Sequence, residues 1–348
     1  MNLYTGFMTG KIRFMLVVLA GFMPFPLCAK GAWEDSSADG GAVTLQVAAL
    51  KGPTGIGMIK MFRDRPPLGA NVGAEYTAYG SPDVLVPRLV KGEVDIAALP
   101  GNLAANLYNR GAPYRLAGII GNGVLYLVST DAEVVSLESL AGRTVQNVAR
   151  GATPEFVVRH ILEKRGLAAS VDVRFQYNHA ELAQLLIAGR ETLGVLPEPF
   201  ASKVLGAARG ARIVVDFQKE WAAIHGGQGL YPMSVLVARK SLYAGNDGDD
   251  GAGRDDRLSG ALENFLVEFR KSQEWVVSKP LEAGVLAEEL QFGLTAAEAA
   301  AAIPRCNLVF VDAAAARPVL EEFLGIFLDF APESIGGKLP DEGFYKNP

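Results

Sequence analysis

Two short stretches hold the residue types best suited to gripping a small polar molecule. The first is KGPTGIG at 51–57, which follows an apolar run at 43–50 and precedes MIKMF at 58–62. A strand, a glycine-rich turn and a helix start gather free backbone N–H groups around one point, because the first helical N–H groups have no partner inside the helix. Gly52, Pro53, Thr54 and Gly55 are therefore candidate ligand contacts. The second stretch, RGATP at 150–154, follows the strand-like run at 143–149 and lays Gly151 on Gly52 and Thr153 on Thr54 without a gap. Each threonine either offers its hydroxyl to ligand oxygens or caps its helix and does nothing more.

A second pair of segments repeats in the same order. LVKGEVDIAALPGNLAANLY at 89–108 aligns without gaps with LIAGRETLGVLPEPFASKVL at 186–205. Asn102 and Glu198 follow the Leu-Pro of these segments and read as counterparts. Asn102 is either a cap or an amide that reaches the ligand. Glu198 is either a carboxylate settled at a helix start or a group facing the ligand. In the second case it repels a sulfonate and accepts hydrogen bonds from amino groups. Tyr79, at a strand end before Gly-Ser-Pro, is the aromatic best placed to stack on a flat ligand, whereas Tyr76, Trp221 and Tyr231 suit packing.

Other chemistries find little support. The 3 histidines show no metal spacing and receive no role, and the 2 cysteines form no Cys-x-x-Cys pair. No metal, cofactor or catalytic residue is expected. Cys306 reads as a small buried hydrophobe. The segment NDGDDGAGRDDR at 246–257 lacks the closing glutamate of a calcium loop and reads as a solvated loop. A net charge of −5 with no basic stripe argues against a nucleic-acid partner.

These residues must be held by a scaffold. At 348 residues the chain exceeds what one hydrophobic core usually serves, so two lobes are expected. Strands alternating with helices predict an α/β fold with largely parallel strands, and ligands of such sheets bind beyond the strands' carboxyl ends. Two similar units facing each other make a two-lobed clamp with a cleft. The apolar runs at 124–129 and 233–238 read as its hinge crossings, which puts lobe I at 42–126 plus 235–348 and lobe II at 127–234. Beyond them, 257–278, 280–290 and 313–330 read as amphipathic helices.

The N-terminus needs its own account. Lys11 and Arg13 precede a short apolar core that ends in small residues, the pattern of a secretory signal peptide over 1–29. Residues 30–41 read as a flexible linker. Cys28 is either removed with the signal or lipidated, which would tether the protein to a membrane.

With these segments assembled, the chain resembles an ABC-transporter substrate-binding protein of the SsuA/THI5-like (NMT1-like) group. The resemblance is carried by ALKGPTGIGMIKM (49–61), GEVDIAALPGNLAANLYN (92–109), GATPEFVVRHIL (151–162), LPEPF (196–200) and the end, IPRCNLVF to PESIGGKLPDEGFY (303–345). It implies a type II periplasmic-binding-protein fold with a hinged interlobe cleft. It also implies an extracytoplasmic monomer that passes a sulfonate, a nitrate-like anion or a thiamine-pyrimidine-like precursor to an ABC permease and its ATPase. Two departures stand out: bulky Leu27 precedes Cys28, and Glu198 stands where related chains are expected to carry Gln. The alternatives are a pyrimidine-forming enzyme of the same fold, which would need clustered cysteines and histidines, and an orphan surface lipoprotein.

Overall fold

The computed structural model describes residues 42–226, 231–243, 258 and 260–346. The expected signal peptide and linker over 1–41, Cys28 among them, and the segment 246–257 lie outside the described residues.

Strand β1 (Val43–Leu50) is rich in β-branched and small apolar residues, and its last four are buried. Burial on both faces marks a central strand. It pairs in parallel with β2 (Val72–Tyr79) on one side and β3 (Ile96–Pro100) on the other. Strand β10 (Pro232–Arg239) then runs antiparallel to β3 and to β4 (Tyr114–Asn122), and β11 (Leu308–Asp312) closes the far edge, giving the order β11-β4-β10-β3-β1-β2.

The second sheet has the order β7-β6-β8-β5-β9. Its strands are β5 (Leu125–Ser129), β6 (Thr144–Gln146), β7 (Asp172–Arg174), β8 (Leu193–Pro197) and β9 (Arg212–Asp216). Again a central strand, β6, lies between two parallel neighbours, and β5 runs antiparallel to both β8 and β9. The pairings of β6 thus repeat those of β1, and β8 occupies the place of β3. The internal repeat is architectural, and each sheet holds a parallel trio extended by antiparallel strands rather than a wholly parallel run.

The runs at 124–129 and 233–238 sit as full strands of different sheets, because they are apolar enough to be buried on both faces. Chain passes between the sheets just before each of them. One passage is Gly123–Val124; the other lies between α8 (Phe217–Ile224) and β10. At the first, Gly123 donates its N–H to the Tyr231 carbonyl at 3.0 Å and to Gln218 Oε1 at 2.7 Å.

The C-terminal third returns to the first sheet. It forms α9 (Ala261–Ser278), α10 (Pro280–Glu289), α11 (Ala296–Ala302), β11 and α12 (Ala313–Phe330). The alanine-rich α11 and the half-exposed edge strand β11 carry too weak an apolar periodicity to be read in advance. One core cluster packs α9 and α10 on the first sheet through Phe265, Phe269 and Phe292. Another runs through both sheets and includes Leu127, Val145 and Phe156 together with Phe323 and Phe327 of α12. Phe156, on α5 (Thr153–Lys164), meets Phe327 edge-on at 5.3 Å and stacks with Phe330 at 6.0 Å. Each such pair adds about 0.5–1.5 kcal/mol beyond simple burial. No helix among the described residues is long and apolar enough to cross a membrane.

Candidate functional site

In the first lobe, β1, β2 and β3 end side by side, with Leu50 paired to Tyr79 and Ala49 to Ala98. Immediately beyond, Gly52 adopts φ 87, a left-handed conformation open to glycine at little cost, and starts the one-turn helix α1 (Pro53–Ile56). The Gly52 carbonyl accepts from Gly55 N at 3.2 Å and Ile56 N at 3.0 Å, so the turn closes on itself. Lys51 N donates to the Tyr79 carbonyl at 2.9 Å, which ties Tyr79 to the mouth of this turn. A single turn has little macrodipole. What it presents is hydrogen-bonding capacity rather than charge.

Thr54 and Asn102 complete that rim. Thr54 Oγ1 lies 3.2 Å from Ser234 Oγ of β10, which is buried. Asn102 occupies the first turn of α4 (Gly101–Asn109), is half-buried, and makes no capping bond. Tyr79 is half-buried with the Arg88 guanidinium 5.5 Å from its ring centroid. Tyr76, by contrast, packs into the core against Phe62, and Trp221 and Tyr231 pack against each other.

The second lobe is built differently despite its parallel pattern. Gly151 is exposed at φ 76, and its N–H donates at 2.6 Å to Glu155 Oε2. Glu155 is buried, and its other oxygen pairs with Arg159 at 2.6 Å. The helix thus places its own carboxylate where a bound anion would gain from the start of α5. Thr153 is buried in the first turn and caps nothing.

Glu198 follows β8 directly, and its side chain is fully buried. Its Oε1 accepts from Arg305 Nε at 2.6 Å and its Oε2 from Ser202 N at 3.1 Å. Arg305 also donates to Ser202 Oγ and to the Ala301 carbonyl. Both carboxylate oxygens therefore have protein partners, and the charge is neutralised by a cation from the C-terminal segment. Strands β3 and β8 end at Pro100 and Pro197, which sets Glu198 opposite Gly101 and Asn102 opposite Pro199. Asn102 and Glu198 are thus offset by one residue and are not counterparts. At Gly101 a Cβ would sit a tight 3.2 Å from Leu320 Cδ1, so any larger side chain there requires that leucine to shift.

No protein-family model matches this chain, and no curated protein does. Solved structures do. An ABC transporter structure from Parabacteroides distasonis superposes with a TM-score of 0.72 at 27% identity, over 88% of this chain and 99% of that one. The fold is that of the SsuA-like ABC substrate-binding proteins. The aliphatic sulphonate-binding SsuA of Escherichia coli matches with a TM-score of 0.63 at 15% identity, over 86% of this chain and 92% of its own. The nitrate-binding NrtA of Synechocystis matches at 0.57 and 12%, over 87% of each chain.

Within this SsuA-like fold, Gly52, Pro53, Thr54, Gly55, Tyr79 and Asn102 come together on one rim. Gly151, Thr153 and Glu198 belong to the other sheet, where two carboxylates already have partners. Three participants escape a reading by motif. Ser234 is one polar residue inside an apolar strand run. Glu155 is legible only as a first-turn acid four residues before Arg159, and Arg305 lies 107 residues from the carboxylate it pairs with. Cys306 is buried, with its thiol donating to the Ala302 carbonyl at 3.3 Å, and burial pushes its pKa up. No cluster of three or more metal-ligating side chains occurs among the described residues.

Proposed function

We propose that this chain is the extracytoplasmic solute-binding component of an ABC importer, capturing a small polar ligand between its lobes without catalysis and delivering it to a permease and its ATPase. Among the ligand classes associated with such chains, a neutral or donor-bearing molecule of the pyrimidine type fits better than a sulfonate or nitrate. The observation that carries this choice is the Glu155 carboxylate on Gly151 N–H at 2.6 Å. An anion brought to the start of α5 would find the Gly151 N–H already taken by the Glu155 carboxylate, whose charge Arg159 offsets in part, so the anion gains little there. The facing rim supplies Thr54, Asn102 and the Tyr79 ring, which suit a flat, hydrogen-bonding ligand.

Calorimetric titration of the purified protein with nitrate, an alkanesulfonate, an aminopyrimidine and a small amine tests this reading. Saturable binding is expected for the aminopyrimidine and none for nitrate. Thr54→Val and Asn102→Ala should each weaken binding about tenfold, the equivalent of one hydrogen bond, without lowering the melting temperature by more than a few degrees. Tight binding of the alkanesulfonate would overturn the ligand class. Stoichiometric iron in the purified protein would instead favour the pyrimidine-forming enzyme.

A further inference from the structure

Two of the three histidines meet at the seam between the second lobe and α12. His160 lies on α5, His225 follows α8, and Glu322 lies on α12. His160 Nε2 stands 3.0 Å from His225 Nε2, and His225 Nδ1 stands 2.6 Å from Glu322 Oε1. The Trp221 ring lies against His225 with centroids 4.2 Å apart and planes 14° from parallel, which holds the imidazole in place.

The contact between the two Nε2 atoms constrains the number of protons. It needs one hydrogen between two nitrogens. With both rings neutral, His225 carries its hydrogen on Nδ1 toward Glu322, and His160 donates Nε2–H to the free His225 lone pair. With one excess proton, His225 is an imidazolium that donates in both directions, and His160 takes the other tautomer. A second excess proton sets N–H against N–H, and the contact is lost.

We propose that His160, His225 and Glu322 form an acid-sensitive latch that holds the second lobe against α12 with at most one excess proton and releases it on acidification. The Phe156 contacts with Phe327 and Phe330 lie along the same α5–α12 seam, so opening breaks them together with the latch. The surrounding charges support this role. Burial first, then His225 and Lys164 of α5, push the His160 pKa down to about 4, against a weaker opposing pull from Asp329 and Glu322 of α12. Arg165, just after α5, and Glu220 of α8 neutralise each other at 2.7 Å.

The direction of the pH effect follows. Once α12 separates, His160 returns toward an ordinary value of about 6.5. A depressed pKa in the closed form means that its contribution to closure is complete above pH of about 6.5 and falls as pH drops toward 4. Within that window each pH unit shifts the closed-to-open ratio about tenfold for one proton taken up. The latch needs no ligand, so it stands apart from the choice of solute.

The test uses ligand-free protein, with small-angle scattering and thermal melting followed from pH 7.5 to 4.5. The wild type should expand and lose melting temperature below pH of about 6.5. His160→Gln keeps an N–H donor at the end of the side chain but does not titrate, so it should match the wild type at pH 7.5 and lose most of the acid transition. Glu322→Gln, at an exposed position, should deepen the transition, because the carboxylate no longer opposes the lowering of the His160 pKa in the closed form. An acid profile of His160→Gln identical to that of the wild type would overturn the latch. So would a melting temperature at pH 7.5 that rises with zinc in the wild type and not in His160→Gln, since the pair would then be metal ligands.

Discussion

Glu198 and Arg305 form an ion pair of 2.6 Å across 107 residues of chain, joining the end of a second-lobe strand to the segment that follows α11. The carboxylate is wholly buried and the guanidinium one-third exposed. Lys203 and Glu298 pair nearby at 3.0 Å between α7 (Phe200–Ala207) and α11, so this flank of the interlobe contact is stitched by charge. Losing one partner of a buried pair costs more than losing both, because the remaining charge has no compensation. Arg305→Met is expected to destabilise the fold by about 2–4 kcal/mol, somewhat below the fully buried case since water reaches Arg305. Adding Glu198→Gln should restore at least half of that. Urea denaturation of the two single variants and the double variant measures it, and an Arg305→Met midpoint equal to that of the wild type would remove the pair from the account.

Gly123 marks the first passage between the sheets. A Cβ there would fall 1.7 Å from Tyr231 Cζ and 2.1 Å from its hydroxyl, inside the ring rather than beside it. Tyr231 cannot retreat, being packed between Trp221 and Phe323. Gly123→Ala should therefore cost about 2–3 kcal/mol through overpacking. Because the clash is with one ring, Tyr231→Leu in the Gly123→Ala background should recover stability, although Tyr231→Leu alone should lower it. Additive losses in that double-mutant cycle would show that the glycine is required for another reason.

Glu155 serves both as the partner of Gly151 N–H and as the occupant of the α5 start. Glu155→Ala removes a charge-assisted hydrogen bond of 2.6 Å and should cost about 1–3 kcal/mol. The same variant vacates the position an anion would take. Sulfate or nitrate should then raise the melting temperature of Glu155→Ala more than that of the wild type, after correction for general salt effects with chloride. Equal responses would mean that the α5 start does not attract anions even when empty.

The strand, turn and helix pattern was legible where periodicity and turn chemistry agree. The run at 43–50 is a strand, 313–330 is a helix, and the Leu-Pro corners end matching strands in two matching sheets. The places where the reading diverged share a cause. The runs at 124–129 and 233–238 read as crossings, yet each is buried on both faces within a sheet, and an apolar run has the same appearance in either setting. The one-residue offset between Asn102 and Glu198 is already contained in the gapless alignment of 89–108 with 186–205, which lays Gly101 on Glu198 and Asn102 on Pro199, and the matching strand ends confirm it. His160, His225 and Glu322 share no spacing and come together only because α5, α8 and α12 pack side by side.

The sequence by itself determined the duplicated α/β units and the glycine-rich turn at 51–57 that opens the first, because local backbone preferences and apolar periodicity act over short stretches. Only the tertiary structure decided what the second turn offers a ligand. Gly151 repeats Gly52 in sequence, but its N–H is already taken by Glu155, and Glu198 is already taken by Arg305. Such pairings depend on which distant charges burial forces together. A buried carboxylate must find a donor, and the folded chain alone specifies which one it finds.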